Sequence, residues 1–190
     1  PYSKPETKIT VELPESLAHC KTLEDVYCDR PLKELPDWLF QLPALKKLEI
    51  NYLLSGFLPS TIGLAQSLET LILWKCNLHE LPETIGHCQE LRDLKLSSNK
   101  LVQLPESLLQ LPRLSHLDLC YNKITSLPQH PHCPSLQKLQ LSNNDIKELS
   151  GSFVQGLPNL ERLSLSSLPL SGLPLELASL ESLTYLELDD

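Results

Sequence analysis

Between Leu91 and Pro105 the chain reads LRDLKLSSNKLVQLP, and this stretch returns with small changes along almost the whole sequence. Counted from Leu91, leucines fall at positions 1, 4, 6, 11 and 14, with Asn99 at position 9 and Pro105 at position 15. The same phase begins at Leu23, Leu45, Leu68, Leu91, Leu114, Leu136, Leu160 and Leu183, at spacings of 22, 23, 23, 23, 22, 24 and 23 residues. A period of this size constrains the fold more than any composition does. About seven core side chains per repeat gain on the order of 10 to 20 kcal/mol by burial, whereas ordering each backbone residue costs roughly 1 to 2 kcal/mol. No repeat is stable alone, so neighbours must stack into a single elongated array.

Positions 4 and 6 of each repeat frame a short strand whose two apolar residues face inward, which leaves positions 3, 5, 7 and 8 on an open sheet face. Across the back of the coils run the related segments PESLAHC, PDWLFQL, PSTIGLA, PETIGHC, PESLLQL and PLELASL. Their leading proline is pre-set for a helical turn, and apolar residues three and six places later, such as Ile85 and Cys88, share a face. These segments predict one or two turns of helix, α or 3₁₀. The expected fold is α/β: a right-handed curved solenoid with short parallel strands on its concave face and short helical or 3₁₀ turns on its convex face. Residues 1–12 form an irregular N-terminal segment, and residues 13–190 hold a partial repeat followed by the eight repeats, the last truncated. Because no methionine occurs and the last repeat stops at Asp190 without a polar cap, the chain is expected to be a piece of a longer one.

The formal charge of -8, with a pI near 5.2, disfavours nucleic acid or an anionic membrane surface as partner. No stretch of 18 apolar residues and no N-x-S/T sequon occurs. Of the six cysteines, Cys20, Cys88 and Cys133 stand three residues before a repeat's first leucine, where other repeats carry Leu42, Leu111, Leu157 or Leu180. Cys28 takes a strand core position and Cys76 the position of Asn99. Phase therefore buries five thiols and leaves only Cys120 on the concave face. Free thiols of this kind, without a cysteine-flanked cap, point to a reducing, cytoplasmic setting.

Position 9 reads Pro31, Leu53, Cys76, Asn99, Asn122, Asn144 and Leu168. An asparagine there can bond backbone groups of its own turn and of adjacent coils. Leucine and proline cannot, so the first two and the seventh turns are expected to be reshaped. Trp38 and Phe40 make the second coil's back aromatic, and Phe40 or Trp38 is expected to pack against the N-terminal segment.

No nucleotide-binding loop, G-x-S-x-G elbow or HExxH pair occurs. His116, Asp118 and Cys120 alternate along SHLDLCY on one face, but His116 and Cys120 lie about 13 Å apart at strand rise, too far for a nucleophile and its base. Register instead sets Asp93 beside His116 and Lys95 beside Asp118. In QHPHCP, His130 and His132 lack a second ligand pair at zinc spacing. The sequence predicts no enzyme, no metal or other cofactor, and no small-molecule substrate.

Function is expected on the open face, which bears six basic and eight acidic residues by repeat phase. Ile72 and Trp74 alternate with Leu71 and Leu73 and must point outward, with Tyr27 and Tyr52 on nearby strands. Exposed tryptophan among tyrosines and charges is a usual binding hot-spot composition. The candidate partner-binding residues are Tyr27, Glu49, Tyr52, Ile72, Trp74, Lys95, His116, Asp118 and Tyr121, for a chain that is monomeric or flanked by further domains of its own.

LPSTIGLAQSL, LPETIGHCQEL and LPESLLQLPRL resemble intracellular leucine-rich repeat proteins of the LPxxIG type, over about nine-tenths of the chain. That group includes plant Ras-group repeat proteins, Scribble- and Erbin-type scaffolds, plant immune receptors and bacterial effectors. Cys76 in WKCNLHELPETIG is similar to the immune-receptor variant. LSGFLPSTIG is similar to plant repeats. The resemblance implies a leucine-rich repeat solenoid that binds a protein. It leaves open whether the array is a free-standing interaction module, the substrate-recognition domain of a larger enzyme such as an effector ubiquitin ligase, or the sensing segment of an immune receptor.

Overall fold

The computed structural model describes residues 10–189. Eight short strands form one open parallel sheet in chain order. They are β1 (Asp25–Cys28), β2 (Lys47–Ile50), β3 (Thr70–Leu73), β4 (Asp93–Lys95), β5 (His116–Asp118), β6 (Lys138–Gln140), β7 (Arg162–Ser164) and β8 (Tyr185–Glu187). Each begins at position 3 of its repeat, and equivalent residues pair across every ladder, Leu71 with Leu94 and Leu94 with Leu117 among them. The result is a right-handed curved solenoid. Neighbouring strands stand about 4.8 Å apart, and the bulkier turns on the other side need more room, so the sheet takes the inside of the curve.

The core runs the length of the array between the two sides. Leu48, Ile50, Leu71, Leu73, Leu94 and Leu96 are fully buried, as are Leu101, Leu114 and Leu119. At the ends the same positions lose cover. Val26 and Cys28 are half-buried in β1, and Leu186 and Leu188 are 39% and 47% exposed at β8. Among the described residues the strands of these coils pair on one side only. Cys20 belongs to the first of these coils and is exposed, against the expectation that it is a core residue. Phe40, by contrast, is fully buried among the core leucines, and Trp38 packs partly against them. Contact of either with residues 1–9 lies outside the described residues.

Six back segments are 3₁₀ turns of five residues: Glu15–His19, Asp37–Gln41, Ser60–Leu64, Glu83–His87, Glu106–Gln110 and Leu175–Ser179. The leading proline stands one place earlier than the sequence reading put it. Pro82, at φ -70 and ψ 144, is extended and precedes the turn, and its carbonyl accepts the first 3₁₀ bond from Ile85 N at 3.0 Å. A proline there loses nothing by lacking an N–H. Gly86 keeps successive turns close, since a Cβ would lie 2.5 Å from Ser107 Cβ. The sixth coil instead carries an α-helix, α1 (Gly151–Gln155), whose Ser150 side chain accepts from Phe153 N. Ser150 is a regular N-cap choice, and the 24-residue spacing to Leu160 provides the extra length.

The asparagine ladder forms in the middle coils. Asn122 Nδ2 donates to Leu96 O and Leu119 O, both at 3.0 Å, while its Oδ1 accepts from Leu101 N. Asn144 does the same one coil on. In the first two coils the backbone substitutes for the side chain: Val11, Leu32 and Leu53 join in parallel bridges, with Leu32 N donating to Tyr52 O at 2.9 Å. Leu32, fully buried, takes the inner place beside Pro31. The seventh turn is reshaped in part. Ser167 keeps the left-handed φ of 54 shared by Lys75, Ser98, Tyr121 and Asn143, but without the amide the chain closes locally instead, Leu170 N donating to Leu168 O at 2.8 Å.

Candidate functional site

The ladders turn repeat positions into rows across the concave sheet. Position 5 gives Tyr27, Glu49, Ile72, Lys95, Asp118, Gln140, Ser164 and Glu187 in register. Position 3 gives Asp25, Lys47, Thr70, Asp93, His116, Lys138, Arg162 and Tyr185. Tyr52 and Trp74 lie just beyond the strands, on adjacent coils.

Trp74 and Tyr52 are brought together. Their ring centroids are 6.0 Å apart with planes tilted by 59°, a favourable aromatic geometry. Lys75 Nζ lies 4.1 Å from the Trp74 ring centroid, a cation–π contact worth about 0.5 to 1 kcal/mol at an exposed site. The repeat logic makes Trp74 point outward; these contacts leave it half-buried and held in one pose. Ile72, half-buried as well, stands between Glu49 and Lys95 in the central row. Tyr27 and Tyr121 are 62% and 61% exposed and stand away from this cluster.

The charged pairing differs from the lateral scheme. Lys95 Nζ meets Asp93 Oδ2 at 3.0 Å on its own strand rather than Asp118 across the ladder, and Lys47 likewise meets Glu49 at 3.0 Å. Residues two apart on one face lie close enough for a lysine to bend back. Asp118 Oδ1 accepts instead from Cys120 N at 3.0 Å, closing the turn after β5. Asp93, Lys95, His116, Asp118, Lys138 and Gln140 surround a hollow of about 220 Å³ in the middle of the sheet. Asp93, Lys138 and Gln140 were not among the sequence candidates, although the 22-residue step from Leu114 to Leu136 sets Lys138 beside His116. Asp93 Oδ1 is buried there without a hydrogen-bond partner among the described residues.

His116, Asp118 and Cys120 do not form a catalytic relay. His116 Nδ1 lies 2.9 Å from Ser115 Oγ. Burial first, and then the Asp118 charge, push the Cys120 thiol up to about 12. A thiol with that value is a poor nucleophile near neutral pH. Among the described residues no three His, Cys, Asp or Glu side chains converge as a metal ion needs. Further along, Ser142 and Ser164 are buried although they occupy open-face positions, because short side chains sink between longer neighbours.

The fold and its free face define a class, the open repeat solenoid that presents one parallel sheet. The sequence matches the family profile "Leucine rich repeat" over residues 66–130 and 134–190, and "Leucine Rich repeats (2 copies)" over residues 112–153. The chain belongs to the leucine-rich repeat family, whose members generally serve as protein-interaction modules. No curated protein matches the sequence. Among solved structures, a leucine-rich repeat protein of Leptospira interrogans is 29% identical with a TM-score of 0.75, over 96% of this chain and 53% of that one. PEPR1 in the PEPR1-AtPEP1 structure is 31% identical with a TM-score of 0.82, over 95% and 27%. YopM from Yersinia enterocolitica is 33% identical with a TM-score of 0.62, over 93% and 34%. The chain thus spans about half or less of these proteins.

Proposed function

We propose that the chain binds a partner protein on its concave sheet, with Trp74, Ile72 and Tyr52 as the apolar anchor, and performs no chemistry itself. The observation that carries this reading is Trp74, packed at a tilt against Tyr52 and covered by Lys75, on the face that coil packing leaves free. An aromatic side chain already held in place loses little conformational entropy on binding. The acidic balance of the chain argues against nucleic acid and anionic membranes as partners. Among the described residues no helix is long and apolar enough to cross a membrane. Six free thiols suit a reducing compartment, and we assign the chain to the cytoplasm on that ground.

The test is capture of the partner on the purified array, identification by mass spectrometry, and affinity measurement with two variants. Truncating a desolvated aromatic anchor commonly costs about 2 kcal/mol or more, roughly a thirty-fold loss of affinity. Trp74→Ala is therefore expected to weaken binding at least about tenfold with an unchanged circular dichroism spectrum, and Ser166→Ala to leave it nearly unaltered. Equal affinity of the Trp74→Ala variant and the parent overturns the assignment.

A further inference from the structure

Beyond the Trp74 cluster, the concave face carries cations that meet no carboxylate among the described residues. Register sets His116 on β5, Lys138 on β6 and Arg162 on β7 side by side. The lysines of the N-terminal half are different: Lys47 and Lys95 are each held at 3.0 Å by a carboxylate two residues away on the same strand. The position-5 neighbours of Lys138 and Arg162 are Gln140 and Ser164, which offer no charge. Among the described residues neither Lys138 nor Arg162 has a carboxylate within ion-pair reach. Arg162 Cζ lies 4.5 Å from the Tyr185 ring centroid, a contact that orients the guanidinium without cancelling its charge. Beside them Ser142 and Ser164 are sunk below the surface, and the carboxylates nearest in register, Asp118 and Glu187, stand one strand to either side of Gln140 and Ser164 without reaching Lys138 or Arg162.

This arrangement runs against the chain's own balance. With 24 acidic and 16 basic residues, paired cations are easily supplied, yet among the described residues two adjacent ones on the open face have no ion-pair partner. Like charges on neighbouring strands repel, and an anion between them relieves the repulsion. Arginine and lysine side by side, with a histidine ring beyond, match carboxylates in both charge and hydrogen-bond donors.

We infer that the row His116, Lys138, Arg162 receives the carboxylate side chains of an extended acidic segment of the partner, the same segment whose apolar residue docks on Trp74. This inference rests on the Trp74 reading and adds the chemistry of the ligand and its direction along the sheet. Strands about 4.8 Å apart put the ends of the row about 10 Å from each other, which three residues of extended chain cover at about 3.3 Å each. Trp74 stands four residues further along its strand than this row, about 13 Å, and the three strand intervals from β3 to β6 come to about 14 Å, so the apolar side chain and the acid at Lys138 lie about 19 Å apart, or about six extended residues.

The experiment is selection from a random dodecamer peptide library displayed on phage. It is run on the folded parent, on Trp74→Ala and on the double variant Lys138→Glu/Arg162→Glu, each checked by circular dichroism. Lys138→Gln and Arg162→Gln stand in if the double charge reversal does not fold. The parent is expected to enrich peptides with an aromatic or aliphatic residue and, about five to seven residues to one side of it, Asp or Glu. The charge-reversed variant should lose the acidic preference and keep the apolar one, and Trp74→Ala should do the opposite. Equal acidic enrichment by parent and charge-reversed variant overturns this inference and leaves the Trp74 reading standing. An apolar preference that survives Trp74→Ala overturns that reading instead. No enrichment by the folded parent over bare support overturns both.

Discussion

Asn99 Oδ1 accepts from Cys76 N at 3.0 Å and Leu78 N at 3.1 Å, and its Nδ2 donates to Leu73 O and Leu96 O at 2.7 and 2.8 Å. Cys76, in the same place one coil earlier, has a single S–H, which reaches Ile50 O at 3.3 Å. Three of these four asparagine bonds reach the preceding coil against one weak bond from the cysteine, so cysteine is admitted there as a small apolar filler with a residual donor. Burial pushes the thiols of Cys76 and Cys88 from the ordinary 9.0 up to about 12, and that of Cys133 to about 11. The most accessible thiol is Cys20, exposed on the first coil, and not Cys120, as repeat phase alone suggests. Mass mapping after brief alkylation of native protein should find Cys20 labelled first and Cys120 lagging; prompt labelling of Cys76, Cys88 or Cys133 would show the register to be wrong. A second consequence concerns pH. Above the ordinary value of 9.0 the unfolded chain releases protons that the folded chain still holds at Cys76 and Cys88. Stability is full below that value and falls as pH rises, by up to about 1.4 kcal/mol per unit for each thiol. Urea midpoints on either side of this value should drop less steeply in Cys88→Ala than in the parent, and identical slopes would contradict the assignment.

At the scale of the element, the strands were legible because two independent periods agree: alternation inside L-x-L and recurrence every 22 to 24 residues. Leu94 and Lys95 follow each other in β4 with opposite fates, one buried and the other on the open face. Emptying the Leu94 site should cost about 2 to 5 kcal/mol, whereas Lys95→Ala breaks only the partly exposed pair with Asp93, worth about 0 to 1 kcal/mol. Denaturant midpoints measure both, and comparable losses would refute the strand assignment. The back was read less sharply. Apolar spacing located the turns, but the place of Pro82 depends on backbone torsion, which a side-chain pattern does not encode. The α-helix at Gly151–Gln155 was missed because GSFVQ lacks the leading proline, and its signal was the Ser150 cap. The rows of the candidate site followed directly from register. The Lys95–Asp93 pair and the sunken Ser164 did not, since both depend on how long side chains bend over short ones.

At the scale of the whole molecule, each coil is stabilised by the faces of its two neighbours, so equal residues differ in weight along the array. Leu188 corresponds to Leu96 by repeat phase but is 47% exposed at the last strand. Leu188→Ala should cost less than about half of what Leu94→Ala does, at the lower end of core truncations. Equal costs would mean that burial of these leucines does not depend on stacking. The same stacking produces the free sheet, and the central claim is that a partner covers that sheet around Trp74 and not the back of the coils. The most direct measurement is hydroxyl-radical footprinting of the array with and without its captured partner, read by mass spectrometry at aromatic side chains. Both surfaces carry reporters: Trp74, Tyr52 and Tyr121 on the concave side, Trp38 and Phe57 elsewhere. The account predicts that oxidation of Trp74 and Tyr52 falls several-fold on binding while Trp38 and Phe57 are unchanged. Protection of Trp38 or Phe57 with Trp74 oxidised as in the free chain would contradict it.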